Sequence, residues 1–275
     1  MSIPHVIHYC WFGGNPLPEQ AKRCIESWKR FCPGFEIRQW DESNYDVNKC
    51  DYTREAYQAE KWAFVSDYAR FDILNTHGGV YFDTDVELIR PIGDILEKGA
   101  FLGQEQRTEP DGGVAVAPGL GMASQAGNAV FEKMLRMYGE RHFLCADGTP
   151  DQTTVVHYMT EQLRSCGLTD TEEIQTVCGI TVYPWDYFCP LRYRTDELTI
   201  TQNTRSIHHY SASWFSKEQQ KELQLTIRAS KLVGQKAARI LGRIYSLPYR
   251  VKKKIGQKGF GGTVRFALEK MKRRS

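Results

Sequence analysis

Residues 66–85 read SDYARFDILNTHGGVYFDTD, and this stretch decides the fold. Phe71 and Leu74 continue a stripe that begins at Phe64 and Tyr68, the spacing of an amphipathic helix. The spacing predicts a helix from about Arg54 to His77, stopped by Gly78-Gly79. Val80-Tyr81-Phe82 then reads as a short buried strand running directly into Asp83-Thr84-Asp85. Two carboxylates one residue apart at the C-terminal end of an apolar strand lie where open α/β sheets bind ligands. Hard oxygen donors there suit Mg²⁺ or Mn²⁺ beside a diphosphate. Isolated DxD triplets are common in solvated turns. The strand, the double glycine and the preceding helix distinguish this one.

On that helix Ser66 and Arg70 are four apart, and Asp67 and Arg70 three apart, so all three project from one face. They read either as a surface ion pair or as a polar cluster that holds sugar hydroxyls near a diphosphate. Upstream, IPHVIHYCW (3–11) is a first buried strand, ended by Gly13-Gly14-Asn15-Pro16. Ala21, Cys24, Ile25 and Trp28 mark a helix over 18–31, and residues 35–40 alternate as a second strand. Strand, helix, strand at the start favours a parallel, nucleotide-binding style of sheet. A weaker strand–helix pattern covers 100–139, with a Gly-rich connection at 112–121. A further helix is expected near Asp151, and a short strand near Ile207.

These motifs together resemble the DxD glycosyltransferase family that includes yeast initiating mannosyltransferases, α-1,4-galactosyltransferase-like enzymes and bacterial capsule glycosyltransferases (glycosyltransferase family 32-like). IPHVIHYCWFGG resembles its first strand, VYPWDYFCP its late Pro–aromatic–Pro segment, and SIHHYSASW its closing His…Ser-Trp motif. The resemblance covers roughly residues 3–215. It implies a GT-A fold, a Rossmann-like mixed sheet flanked by helices that binds nucleotide-sugar. It also implies a divalent metal and retention of anomeric configuration. Carried onto matching positions, Asp85 binds the metal directly. Asp83 touches the ribose, the sugar or metal-bound water. Trp11 stacks on a nucleobase, and Ser66, Asp67 and Arg70 hold the donor sugar.

His208 and His209 alternate on a strand, so only one of them reaches the site, and the family pattern favours His208 as a metal ligand. Trp214 closes over the diphosphate as part of a lid, or is an ordinary packed aromatic. Asp151-Gln152 either caps a helix or places Gln152 beneath the anomeric carbon. No carboxylate stands out as a nucleophile, which favours a front-face mechanism. In it the protein contributes positioning and electrostatics.

Composition sets the frame for these motifs. The chain has 275 residues, 41% hydrophobic, 25% charged and 12% aromatic, which excludes a fully disordered protein. No run of 18 apolar residues occurs and the N-terminus lacks a secretory pattern, so the expected location is cytoplasmic. Eight cysteines without a CxxC pair predict reduced, mostly buried thiols. Charge divides the chain. Residues 217–275 hold 17 Lys+Arg and 3 Asp+Glu, whereas residues 1–216 hold 19 and 30. We therefore expect a catalytic domain over 1–216 and a basic amphipathic helical extension over 217–275. Leu and Ile interleave the charges of the extension, which suits a helix lying on an anionic membrane at the inner face of the cell membrane. Nucleic-acid binding and a solvated tail are the rival readings, and no nucleic-acid motif accompanies the charge.

The function expected from this sequence is transfer of a sugar, from a UDP-sugar in preference to a GDP-sugar, to a glycan or lipid-linked glycan in cell-surface polysaccharide synthesis. The rivals are a nucleotide-sugar hydrolase or pyrophosphorylase, and a non-enzymatic carbohydrate- or nucleic-acid-binding protein.

Overall fold

The computed structural model describes residues 2–106, 113–193, 197–211, 217–249 and 252. It divides into two compact units, one of residues 1–193 and 197–211, the other of 194–196 and 212–275.

The first unit is built on a seven-stranded mixed sheet. Strand β1 (Val6–Cys10) leads through helix α1 (Glu19–Phe31) to β2 (Glu36–Trp40), which pairs with β1 in parallel. Helices α2 (Asp51–Gln58) and α3 (Trp62–His77) then return the chain to β3 (Gly79–Tyr81), parallel to β1 on its other side. The chain therefore leaves β1 in one direction and comes back in the other, which opens a crevice at the C-terminal ends of β1 and β3. Strand β4 (Val86–Leu88) and helix α4 (Gly93–Leu96) precede β5 (Phe101–Gly103), and β6 (Met122–Ser124) follows. Helices α5 (Ala129–Gly139) and α6 (Val155–Arg164) lead to β7 (Gln175–Val177) and β8 (Ile180–Tyr183). The sheet order is β2-β1-β3-β6-β5-β8-β7. Helix α7 (Trp185–Phe188) precedes β9 (Ser206–His208), which pairs antiparallel with β4 as a separate two-stranded sheet. This is the mixed α/β sheet flanked by helices that the sequence led us to expect.

Alternation along β1 explains the two cores. Ile7 and Tyr9 face a cluster with Cys24, Trp28, Val80 and Phe82. Cys10 faces the opposite cluster, with Val65, Phe71, Leu74, Phe131 and Tyr138. His8, on the Cys10 side, is buried but fully paired: Trp40 Nε1 donates to its Nδ1 at 3.0 Å, and its Nε2 donates to Gly78 O at 3.0 Å. Burial lowers its pKa to about 4, so it is a neutral structural histidine. Gly79 is required beside it. At φ 107°, a Cβ there would lie 2.7 Å from Val6 O.

Three expectations need correction. The helix expected over 54–77 is two helices, because Glu60 takes φ 56° and Lys61 N–H bonds back to Ala56 O at 2.9 Å. The helix expected near Asp151 starts at Val155 with Thr154 as its cap. Asp151 closes a local turn instead, accepting from Thr153 N at 2.9 Å and Thr153 Oγ1 at 2.6 Å. Finally, Cys166 and Cys178 form a disulfide rather than two reduced thiols. The tight β7–β8 turn at Cys178-Gly179, both at positive φ, carries Cys178 to the end of α6.

The second unit is described over α8 (Lys217–Tyr245), which is interrupted at Gly234 (φ 77°, ψ 162°). No helix among the described residues is long and apolar enough to cross a membrane.

Candidate active site

Asp83 and Asp85 leave the C-terminal end of β3, and His208 ends β9, whose pairing sets Val86 opposite His208. Ligand atoms of Asp83, Asp85 and His208 all lie within 4.8 Å of one another. Two carboxylates and an imidazole form a donor set suited to Mn²⁺ or a similar borderline-hard divalent ion. The residues fit such an ion on a further observation, because His208 Nδ1 is buried and has no hydrogen-bond partner. His209, on the opposite face of the strand, pairs with Glu87 at 2.7 Å. The alternation expected from the sequence therefore brings His208 to the site and His209 away from it.

The two acids of the triplet sit in different environments. Asp85 Oδ1 lies 3.1 Å from His208 Nε2, and its Oδ2 accepts from Ser211 N at 2.8 Å and Ser211 Oγ at 2.9 Å. Burial alone would raise the Asp85 pKa, but His208 and Ser211 overcome it and hold the carboxyl well below the usual range. Burial opposes the charge on His208 in turn, and Asp85 outweighs it and raises the imidazole. Asp83 is held from the other side. Its Oδ1 accepts from Tyr81 OH at 3.1 Å and faces Arg70 Nη2 at 3.3 Å.

Arg70 joins the triplet to α3. Its Nη2 lies 3.0 Å from Asp67 Oδ1, its Nε donates to Ser66 O at 3.0 Å, and the Tyr81 ring centroid lies 5.0 Å from its guanidinium carbon. The Arg70 side chain is 4% exposed and that of Asp67 11%, which removes this pair from the class of solvated surface bridges. Burial opposes the Arg70 charge, and Asp83, Tyr81 and Asp67 restore it. Burial raises the Asp67 pKa to about 7 despite Arg70. Ser66 contributes its carbonyl rather than its hydroxyl, which donates to Trp62 O at 3.1 Å within the helix.

Trp11 lies half-buried just beyond β1, on the same sheet edge, with Nε1 donating to Asn15 O at 2.6 Å. The Gly13-Gly14 turn that follows packs on Trp62, since a Cβ at Gly13 would lie 2.6 Å from the indole. Gln152 is exposed in an irregular segment and makes no described contact with the Asp83–Asp85–His208 cluster. Trp214 lies outside the described residues.

Three participants escaped the sequence reading. Gly119 packs so tightly on Asp83 that a Cβ would overlap its Oδ2 and lie 2.9 Å from its Cγ, and the Gly119 carbonyl accepts from Asp83 N at 3.1 Å. Ser211 was visible only as part of the closing motif. Glu105, just beyond β5, interacts electrostatically with His208, and burial raises its carboxyl pKa. An isolated acid after a strand gives no local signal of this.

Residues 18–102 match the family described as the glycosyltransferase sugar-binding region containing DXD motif. An uncharacterized glycosyltransferase of Acanthamoeba polyphaga mimivirus is 32% identical over 105 residues, covering 36% of this chain and 42% of that protein. Inositol phosphoceramide mannosyltransferase 1 of Schizosaccharomyces pombe is 31% identical over 122 residues, covering 40% of this chain and 36% of that protein. The chain thus spans less than half the length of these two relatives. A crystallised glycosyltransferase involved in the glycosylation of the major capsid of PBCV-1 superposes with a TM-score of 0.43 at 12% identity, over 80% of this chain and 99% of that one. The family match and the relatives bear out the resemblance to DxD glycosyltransferases read from residues 66–85.

Proposed function

We propose that this chain, whose residues 18–102 are of the DXD sugar-binding type, is a metal-dependent, retaining glycosyltransferase. It takes its sugar from a nucleotide donor, with UDP favoured, and passes it to a glycan or lipid-linked glycan of a cell-surface polysaccharide. The observation that carries the reading is the convergence of Asp83, Asp85 and His208 at the C-terminal sheet edge, backed by the buried Arg70–Asp67 pair. Asp83, Asp85 and His208 would hold the cation. Bound there, Mn²⁺ or Mg²⁺ would neutralise diphosphate charge.

The chain's own residues do the remaining work. Trp11 offers an aromatic face to the base. Arg70 fixes Asp83 from behind, and Asp67 keeps Arg70 in place. The buried Arg70–Asp67 pair supports a reading in which the protein works mainly by positioning and electrostatics. We assign the activity to the cytoplasm. The Cys166–Cys178 bond argues the other way, because disulfides persist mainly in oxidising compartments. Thiol titration of protein purified without reductant decides that point.

The test of function has two steps. A thermal-shift panel of UDP- and GDP-sugars with Mn²⁺ identifies the donor, because a ligand that binds only the folded state raises its melting temperature. Product formation on sugar acceptors then separates a transferase from a nucleotide-sugar hydrolase. Donor consumption that yields only free sugar with every acceptor would overturn the transferase reading.

A further inference from the structure

Helix α8 is a hairpin whose packing is turned inside out. Gly234, at φ 77°, breaks it into two arms. Gly242 of the second arm approaches the first so closely that a Cβ would overlap Thr226 Oγ1 and lie 3.5 Å from Glu222 O. Ala238, Gly242 and Ser246, four residues apart, form one stripe, and all three are buried. On the first arm Leu223 and Thr226 are buried too, and Thr226 is the residue that Gly242 meets. The second arm therefore buries a stripe of small residues, and Leu223 is the one large aliphatic side chain buried among the described residues of the first arm. The large aliphatic side chains lie outside: Leu232 is 87% exposed and Ile244 60%, and Val233, Ile240, Leu241 and Leu247 are each at least 49% exposed. A hairpin that folds for water does the reverse, placing Leu and Ile between its arms. Small residues inside with large ones outside is the arrangement helices adopt when lipid is the solvent.

Charge narrows the choice of partner. The only acids of the described hairpin, Glu218 and Glu222, lie in the opening turns of its first arm. From Leu223 to Leu268 the sequence contains no Asp or Glu and 11 Lys+Arg. Two copies of so cationic a segment repel each other, which disfavours self-association through this face. Nucleic acid would satisfy the charge but gives no reward for six exposed aliphatic side chains. An anionic bilayer satisfies both.

We propose that the α8 hairpin docks on an anionic lipid bilayer, with the turn at Leu232-Val233 and the outer face of the second arm entering the interface and the basic side chains meeting the headgroups. The arms are too short to span, so the hairpin inserts shallowly. This revises the single flat helix expected from the sequence. It stands independently of the catalytic reading, since none of the residues used belongs to the Asp83–Asp85–His208 site.

The experiment is co-sedimentation of the full chain with phosphatidylcholine vesicles, with and without phosphatidylserine, across a salt series. Donor binding is measured in parallel by thermal shift. We expect binding that requires phosphatidylserine. The double variant Ile240→Ser, Ile244→Ser should weaken it about tenfold by removing inserted apolar surface. Arg228→Gln should weaken it about fivefold at low salt, the effect of one basic residue near an anionic surface. Donor binding should be unchanged in each variant. Both substitutions are on exposed positions, and circular dichroism confirms that the hairpin is retained. Equal sedimentation with neutral and anionic vesicles would overturn the proposal, as would an Ile double variant that binds like wild type. So would a lipid-free dimer, seen by light scattering, that the same variant dissociates, or DNA binding tighter than vesicle binding.

Discussion

Replacing Arg70 with Ala tests whether the buried Asp67–Arg70–Asp83 cluster is built as the structure shows. Arg70 Nη2 lies 3.0 Å from Asp67 and 3.3 Å from Asp83, and its side chain is 4% exposed. The substitution strands Asp67 in a buried site with no counter-charge. With Asp67 ionised, breaking a buried pair in this way costs about 3–5 kcal/mol, a large part of a typical stability of about 5–15 kcal/mol, and that cost builds only as pH rises above about 7. The loss must depend on pH. Burial raises the folded-state pKa of Asp67 from 3.8 to about 7. A group with a raised folded pKa contributes stability that is full below its unfolded pKa and lost as pH rises through the folded value. In the wild type that loss is complete near pH 7. Without Arg70 the carboxyl titrates higher still, and the loss continues further up the scale. The difference between the two proteins therefore grows from about pH 7 upward. At pH 5 Asp67 is neutral in both, and the variant should lose only about 1–2 kcal/mol of hydrogen bonding and Asp83 pairing. The assay is equilibrium urea unfolding at pH 5, 7 and 8, with chelator present to keep metal out. A uniform loss below about 1 kcal/mol at all three would refute the argument, because that is how a solvated surface bridge behaves.

Asp85→Asn should abolish sugar transfer while the far-UV spectrum stays native, because one anionic metal ligand is lost; wild-type turnover at ordinary Mn²⁺ would remove Asp85 from the metal site. Gly119→Ala should push Asp83 aside and weaken UDP–Mn²⁺ binding by about tenfold in calorimetry, where unchanged affinity would show that Asp83 does not contact the donor. Trp11→Ala should weaken UDP binding by about three- to tenfold through lost stacking, and equal affinities would make Trp11 purely structural. The Cys166–Cys178 bond closes a short loop, with a sequence separation of 12, so Cys178→Ser should cost about 3 kcal/mol in unfolding without reductant. Dithiothreitol should erase that difference, and a difference that persists would point to packing instead.

What could be read from the sequence followed periodicity. β1 was legible as an apolar run of β-formers, β2 by alternation and α1 by recurrence at three and four, with glycine or proline stopping β1 and α1. The break between α2 and α3 was not, because a Glu at positive φ supplies the turn where a glycine would have announced it. The DxD pair and His208 were legible because strand alternation and the closing motif specify them. Gly119 was hidden for a different reason. It lies in a segment with several glycines, and what singles it out is the approach of Asp83 from 36 residues earlier in the chain. The disulfide is of the same kind: its partners meet through the β7–β8 turn and the end of α6, not through any spacing motif. The capping pattern read at Asp151-Gln152 fell a few residues early, because Asp151 closes a turn with Thr153 and the helix begins at Val155.

The electrostatics of the cluster explain why a fold would hold these groups together at all. Asp67 and Asp83 meet at Arg70, and Asp85 meets His208, which also interacts electrostatically with Glu105. Arg70 compensates the acids on the α3 side, and the Asp85 pKa is held low by the imidazole of His208 on the other. Burial opposes a charge on His208 and Asp85 raises its pKa in turn, so the two groups favour each other's charged forms. A proton on one histidine is an easily exchanged charge, whereas the Arg70 guanidinium is permanent. The site is therefore fixed on the side that faces α3 and replaceable on the side that faces β9. A divalent cation would be held on the replaceable side, by Asp85 and His208 together with Asp83, and would leave Arg70, Asp67 and Gly119 undisturbed. That asymmetry accounts for the different settings of the two acids: Asp83 is braced by groups that cannot leave, while Asp85 is paired with one that can.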